Sequence, residues 1–138
     1  VPVQLTILGS GSGGNCAYVE TPEARILVDA GFSARQIRQR LATIGKTPEN
    51  LTGILITHEH VDHVQGLSVL AQKLNVPIYC NRPTYDAIQF QLGVKLDCRL
   101  FTTGASFEIG DVQVETFSIP HDAQDPVGYL LRTNGTNI

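Results

Sequence analysis

Nothing in the sequence approaches the roughly 18 consecutive apolar residues of a membrane span, and Val1 to Gly9 lacks the basic segment that opens a secretory signal peptide. Cysteine is scarce: Cys16, Cys80 and Cys98 stand far apart with no Cys-x-x-Cys pair. That argues against both a disulfide framework and a thiolate zinc site and leaves buried, reduced thiols. Charge is sparse too, at 17% of residues with a net −3, so there is no overall electrostatic footprint for nucleic acid. Bound divalent metals would change the local field without changing that total. Together these absences point to a soluble, cytoplasmic protein and leave its substrate open. What is present is apolar: 42% of 138 residues, enough for one ordinary domain with a buried core.

The pattern along the chain is mixed. Val3 to Leu8 reads as a strand leading into a glycine-serine loop, Gly9 to Gly14, followed by paired strands at Cys16–Glu20 and Arg25–Val28 around Thr21-Pro22-Glu23-Ala24. Ser33 can cap a helix with Ile37, Leu41 and Ile44 on one face and Arg35, Arg38, Gln39 and Arg40 on the other, stopped by Gly45. Gly53 to Ile56 is wholly apolar, as in a strand buried on both faces, and runs into Thr57-His58-Glu59-His60-Val61-Asp62-His63. A second helix follows on Val64, Leu67, Ala71 and Leu74, then a strand at Val76 to Cys80, then a third helix through Tyr85, Ile88 and Leu92. From Phe107 the period returns to two, with a turn at Gly110-Asp111 and a further strand at Gly128 to Arg132. There is no repeat and no linker, so residues 1–138 read as one α/β unit with mixed strands and layered helices. The chain opens at Val1 and stops just past an Asn134-Gly135 hairpin signal whose returning strand is cut short, so it reads as a piece of a longer protein.

Chemistry concentrates in one place. Of four histidines, three fall at His58, His60 and His63, with Asp62 between them. In an extended loop, residues two apart project to the same side, so His58 and His60 can grip one metal while Asp62 and His63 turn towards another. Imidazole and carboxylate suit zinc first, with manganese or iron as alternatives. The plainer reading is a solvated loop, or a helix cap in which Asp62 favours the helix dipole. Glu59 sits between two ligands, but neighbours in an extended loop face opposite sides, so it is read as pointing away from the metals and has no assigned role.

These residues resemble the metallo-β-lactamase superfamily, and within it the YycJ-type (WalJ) group of predicted DNA nucleases. The resemblance rests on Gly-Ser-Gly-Ser-Gly-Gly-Asn-Cys (Gly9 to Cys16), Leu27 to Gly31, Thr57 to His63, and His121-Asp122-Ala123 followed by Asp125 to Tyr129. It implies the N-terminal half of an αββα sandwich, a mixed sheet with helices on one face, and places the second sheet-and-helix half beyond Ile138. It further implies that His58, His60 and His121 hold a first metal and that Asp62 and His63, also catalytic, begin a second. A bridging carboxylate and a last histidine would follow Ile138. His121 alone could equally be an ordinary loop histidine at a strand end. Asp29 would be an acceptor that orients a ligand, or simply a turn aspartate. Ser10, Gly11, Ser12 and Asn15 are candidates for approaching a phosphate, although a flexible turn explains them as well.

The implied reaction is hydrolysis by a two-metal-activated hydroxide, in a phosphodiesterase or exonuclease acting on nucleic acid when the protein is full length, the fragment alone being inactive. Two alternatives stand beside it. One is hydrolysis of a thioester, lactone or β-lactam on the same metals; the other is a non-catalytic metal-binding scaffold or regulatory protein.

Overall fold

A computed structural model of the chain describes residues 3–93, 96–120 and 123–138. Its centre is a six-stranded sheet in sequential order, β1 (Gln4–Gly9), β2 (Cys16–Glu20), β3 (Arg25–Val28), β4 (Gly53–Leu55), β5 (Ile78–Asn81) and β6 (Cys98–Phe101). The first three strands form the expected antiparallel meander, and β3 to β6 are parallel. Parallel neighbours need long crossovers. These are α1 (Ala34–Ala42), the pair α2 (Val61–Val64) and α3 (Leu67–Leu74), and α4 (Arg82–Leu92).

Consecutive strand residues face opposite cores, which is why the central strands lack any polar alternation. Tyr18, Leu27, Ile54 and Ile78 pack with Ile37 and Leu41 of α1, Leu67 and Leu70 of α3 and Ile88 of α4. Their neighbours Val19, Ile26, Leu55 and Tyr79 pack instead against Ile109, Val112, Val114 and Leu131. The latter four belong to a second, antiparallel sheet of β7 (Ser106–Ile109), β8 (Val112–Ser118), β9 (Val127–Thr133) and β10 (Thr136–Asn137). Helices thus cover one face, as expected. The other face is already covered, because four strands of a second sheet lie within these residues rather than beyond them.

Ser33 caps α1 through a reciprocal capping box with Gln36, and Gly45 follows in the left-handed region at φ 73°. The helix expected through Val64 and Leu74 is broken at Gln65-Gly66. The bond that would close its turn, Gly66 N–H to Asp62 O, is replaced by two tertiary ones. Asp62 O accepts from Asn15 N at 2.7 Å, and Gly66 N donates to Ala30 O at 2.9 Å. β6 escaped the sequence reading because it is an edge strand with Arg99 and Leu100 exposed, which hides its alternation. The cysteines are free, Cys16 and Cys80 buried and Cys98 half-buried. No helix among the described residues is long and apolar enough to cross a membrane.

Candidate functional site

Parallel strands bring their carboxyl ends to one edge of a sheet, where ligands bind in open α/β folds. Val28 at the end of β3 is in register with Leu55 at the end of β4, and Asp29 N donates to Leu55 O at 2.7 Å. Asp29 therefore emerges beside the segment that carries the histidines. That segment is extended only as far as His60 (φ −61°, ψ 145°); Val61–Val64 is a helical turn. Asp62 and His63 consequently project from a helix rather than from the extended loop expected.

The structure brings His58, His60, Asp62 and His63 together. The His58 ring lies 4.7 Å from that of His60 and 3.9 Å from that of His63, centroid to centroid, and His63 Nε2 is 3.6 Å from Asp62 Oδ2. His121 and Asp122 lie outside the described residues. Among the described residues, no three His, Cys, Asp or Glu side chains already face one point so as to hold an ion; the imidazoles rest against one another instead.

Asp29 is a turn aspartate whose carboxylate also meets an imidazole. Its φ of 64° is left-handed, a conformation that Asp tolerates better than most residues. The carboxylate of this buried residue, 4% exposed, accepts from Thr57 N at 2.8 Å and Thr57 Oγ1 at 2.7 Å and meets His63 Nδ1 at 2.5 Å. Because Thr57 gives its single hydroxyl proton to Asp29, its oxygen is left to accept from His58 Nδ1 at 2.9 Å. One buried carboxylate thus assigns both tautomers, directly for His63 and through Thr57 for His58, and leaves Nε2 of each as the lone-pair nitrogen. Burial of the His63 imidazole opposes its protonation, but the hydrogen bond and charge of Asp29 and the charge of Asp62 outweigh it, so its pKa lies above the ordinary value. Burial and the Asp29 charge push the Cys16 thiol up to about 12, which disfavours its thiolate.

This donor set fits a divalent cation. Two ligand atoms 3.6 Å apart, His63 Nε2 and Asp62 Oδ2, are spaced for one ion at metal–ligand distances of about 2.0 to 2.2 Å. A carboxylate behind a ligating imidazole is the usual support.

Thr57 has no assigned role in the sequence pattern, and Glu59 is read there as pointing away from the metals with none either. The signal for Thr57 was available, a hydroxyl placed between a buried strand and the first histidine. Thr57→Val keeps the side chain's shape and removes that oxygen; we expect zinc affinity of the full-length protein to fall about tenfold in a chelator competition titration, with the fold retained. Unchanged affinity would reduce Thr57 to a packing residue. Glu59 is buried at 6% exposure and accepts the backbone N–H of Gln124 at 3.1 Å. Nothing local could have revealed a partner 65 residues away. The same stretch is pinned by Val127 N to Thr57 O at 2.9 Å and by Asn81 and Thr103, which donate to Asp125. Residues 123–127 are thereby fastened to the histidine segment.

Ser10, Gly11 and Ser12 are exposed on the loop after β1, whereas Asn15 turns inward. On the basic face of α1, Arg38 pairs with Glu49. Arg40 donates to Leu8 O and lies 3.9 Å above the Phe32 ring. Among the described residues only Arg35 of that trio makes no hydrogen bond, ion pair or ring contact, so this face offers little free positive charge to a nucleic-acid backbone.

Residues 24–138 match the family described as a β-lactamase superfamily domain. Exodeoxyribonuclease YycJ of Bacillus anthracis is 37% identical over 138 residues, covering 99% of this chain and 52% of that protein. Exodeoxyribonuclease WalJ of Streptococcus pneumoniae serotype 2 is 43% identical over 131 residues, covering 91% of this chain and 48% of that one. The chain spans about half the length of these curated relatives. Among solved structures, Rm3 metallo-β-lactamase matches with a TM-score of 0.79 and 21% identity, over 97% of this chain and 56% of that one. The subclass B3 enzyme BJP-1 of Bradyrhizobium japonicum matches at 0.78 and 18%, over 96% and 56%. At such identities the structural likeness speaks for the fold, and the family match for the lineage: the chain belongs to the metallo-β-lactamase superfamily.

Proposed function

We propose that the full-length protein is a metal-dependent phosphodiesterase, an exodeoxyribonuclease working on nucleic acid in the cytoplasm. The observation that carries this reading is the Asp29–His63–Asp62 array, a buried carboxylate at 2.5 Å fixing an imidazole whose other nitrogen faces a second carboxylate at 3.6 Å. It occurs in a chain whose relatives at 37% and 43% identity are named exodeoxyribonucleases. In this reading His58, His60 and His121 hold one ion and Asp62 and His63 begin the site of another, zinc being the first choice for such donors. When bound, such ions supply Lewis-acid charge for a phosphoryl oxygen and acidify water from 15.7 towards about 7.

The chain's own residues have distinct tasks. Asp29 and Thr57 hold His63 and His58 in the tautomers that present Nε2. Glu59 holds the segment after His121 against the histidine loop. Ser10 and Ser12 are exposed on the loop next to Asp62 and are the residues there to meet a phosphodiester, whereas both backbone groups of Gly11 are taken by Asn15.

The test is elemental analysis of purified full-length protein beside an exonuclease assay with and without chelation. About two ions per chain, with activity abolished by chelation and restored by zinc or manganese, is the expected result. No bound metal after reconstitution would overturn the site. Bound metal without phosphodiesterase activity would transfer the assignment to an acyl substrate or a scaffold.

A further inference from the structure

Asn15 stands at the end of the glycine-serine loop, and its side chain faces Asp62. Its Nδ2 donates to Gly11 O at 2.8 Å, to Asp62 O at 3.2 Å and to Asp62 Oδ2 at 3.0 Å, while its Oδ1 accepts from Gly11 N at 3.0 Å. The backbone repeats the connection. Asn15 N donates to Asp62 O at 2.7 Å and Asn15 O accepts from Gly31 N at 2.9 Å.

We propose that Asn15 is a positioning residue of the metal centre, its amide framed by Gly11 and aimed so as to orient the Asp62 carboxylate towards a cation shared with His63. The inference rests on the metal reading of the site. Three features of the geometry support it. First, the two-point bond with Gly11 decides which end of the amide is which: a backbone N–H must face oxygen, so the NH₂ group must face Asp62. Second, Asp62 is carried on a single four-residue helical turn and its side chain is 27% exposed, so it would sample several rotamers without a fixed donor. Third, a carboxylate oxygen accepts at more than one site, so Oδ2 can take the amide proton and still face His63 Nε2. The donor is neutral. A lysine or arginine there would pair with the carboxylate and oppose a divalent ion, whereas an amide orients it without competing charge.

Sequence alone suggested that Asn15 belonged with Ser10, Gly11 and Ser12 as a phosphate contact. Its side chain instead joins that loop to Asp62 and occupies both backbone groups of Gly11, leaving the exposed Ser10 and Ser12 to meet substrate.

The test uses cobalt(II)-substituted full-length protein, whose visible absorption reports coordination geometry. Wild type is compared with Asn15→Ala, with Asn15→Ser, and with Gln65→Ala. Gln65 Nε2 donates to Gly31 O at 2.7 Å, so that variant loosens the same junction without touching the Asp62 carboxylate. Asn15→Ala is expected to weaken cobalt binding about tenfold and to alter the visible bands, while Gln65→Ala leaves the bands unchanged. If the alanine variant does not fold, Asn15→Ser is read in its place with the same expectation. Wild-type affinity and bands in the Asn15 variant, or the same band change in Gln65→Ala, would overturn the role given to Asn15. Failure of the wild-type protein to bind cobalt at all would overturn the metal site itself, and is a separate outcome.

Discussion

The His58→Ala, His60→Ala double variant of the full-length protein is expected to retain its fold and lose about a thousandfold or more in exonuclease activity, together with bound metal. The two imidazoles are the proposed grip on the first ion, and their rings sit 4.7 Å apart at the sheet edge. Lewis-acid stabilisation of transition-state charge is worth several kcal/mol, and each 1.36 kcal/mol is a factor of ten in rate, which sets the expected loss. The fold should survive because neither strand nor helix is altered and the surrounding core of Ile54, Ile56 and Val64 is intact. Truncating His58, 4% exposed, leaves a small void whose cost is modest against the loss of rate. Elemental analysis, circular dichroism and the exonuclease assay on the same preparation read all three quantities. Metal content and activity at wild-type levels would remove these histidines from the site.

Gly31→Ala should have the largest effect on stability. A Cβ at Gly31 would lie 1.8 Å from Asp62 O and 2.4 Å from Asn15 N, and both are backbone atoms that no rotamer change can move. Three chain segments meet there without room for a methyl group: Gly31 N donates to Asn15 O, Asn15 N to Asp62 O and Ala30 N to His63 O. Separating them costs those hydrogen bonds as well as packing. We expect a loss of about 3 kcal/mol or more, a fall of roughly 10 °C in melting temperature, and loss of metal, since Asp62 and His63 move with the displaced backbone. Gly13→Ala is the control, because a Cβ there meets nothing within 4 Å. Equal melting temperatures for the two variants would show that the junction is looser than described.

These two variants probe different layers of information. The histidine segment is legible as a candidate site because its chemistry is local: four ligand-type side chains within six residues, after an apolar strand. The layered α/β class was legible too, since two-residue and near-four-residue periodicities arise from strand and helix geometry themselves. Elements whose signal is non-local were not. β6 is an edge strand with mixed exposure, and the break between α2 and α3 exists only because Ala30 and Asn15 take over the helix's own hydrogen bonds.

The sequence by itself therefore determined which residues are the candidates for chemistry, and the mixed α/β alternation of its elements. Tertiary structure decided what those residues do to one another. Asp29 orders two histidines only because β3 and β4 end side by side, Glu59 finds Gln124 across 65 positions, and Asn15 turns from a loop residue into a support for Asp62 across 47. Periodicity is a property of neighbours along the chain, whereas orientation at a sheet edge comes from backbone groups that are far apart in sequence and left unpaired until the strands align.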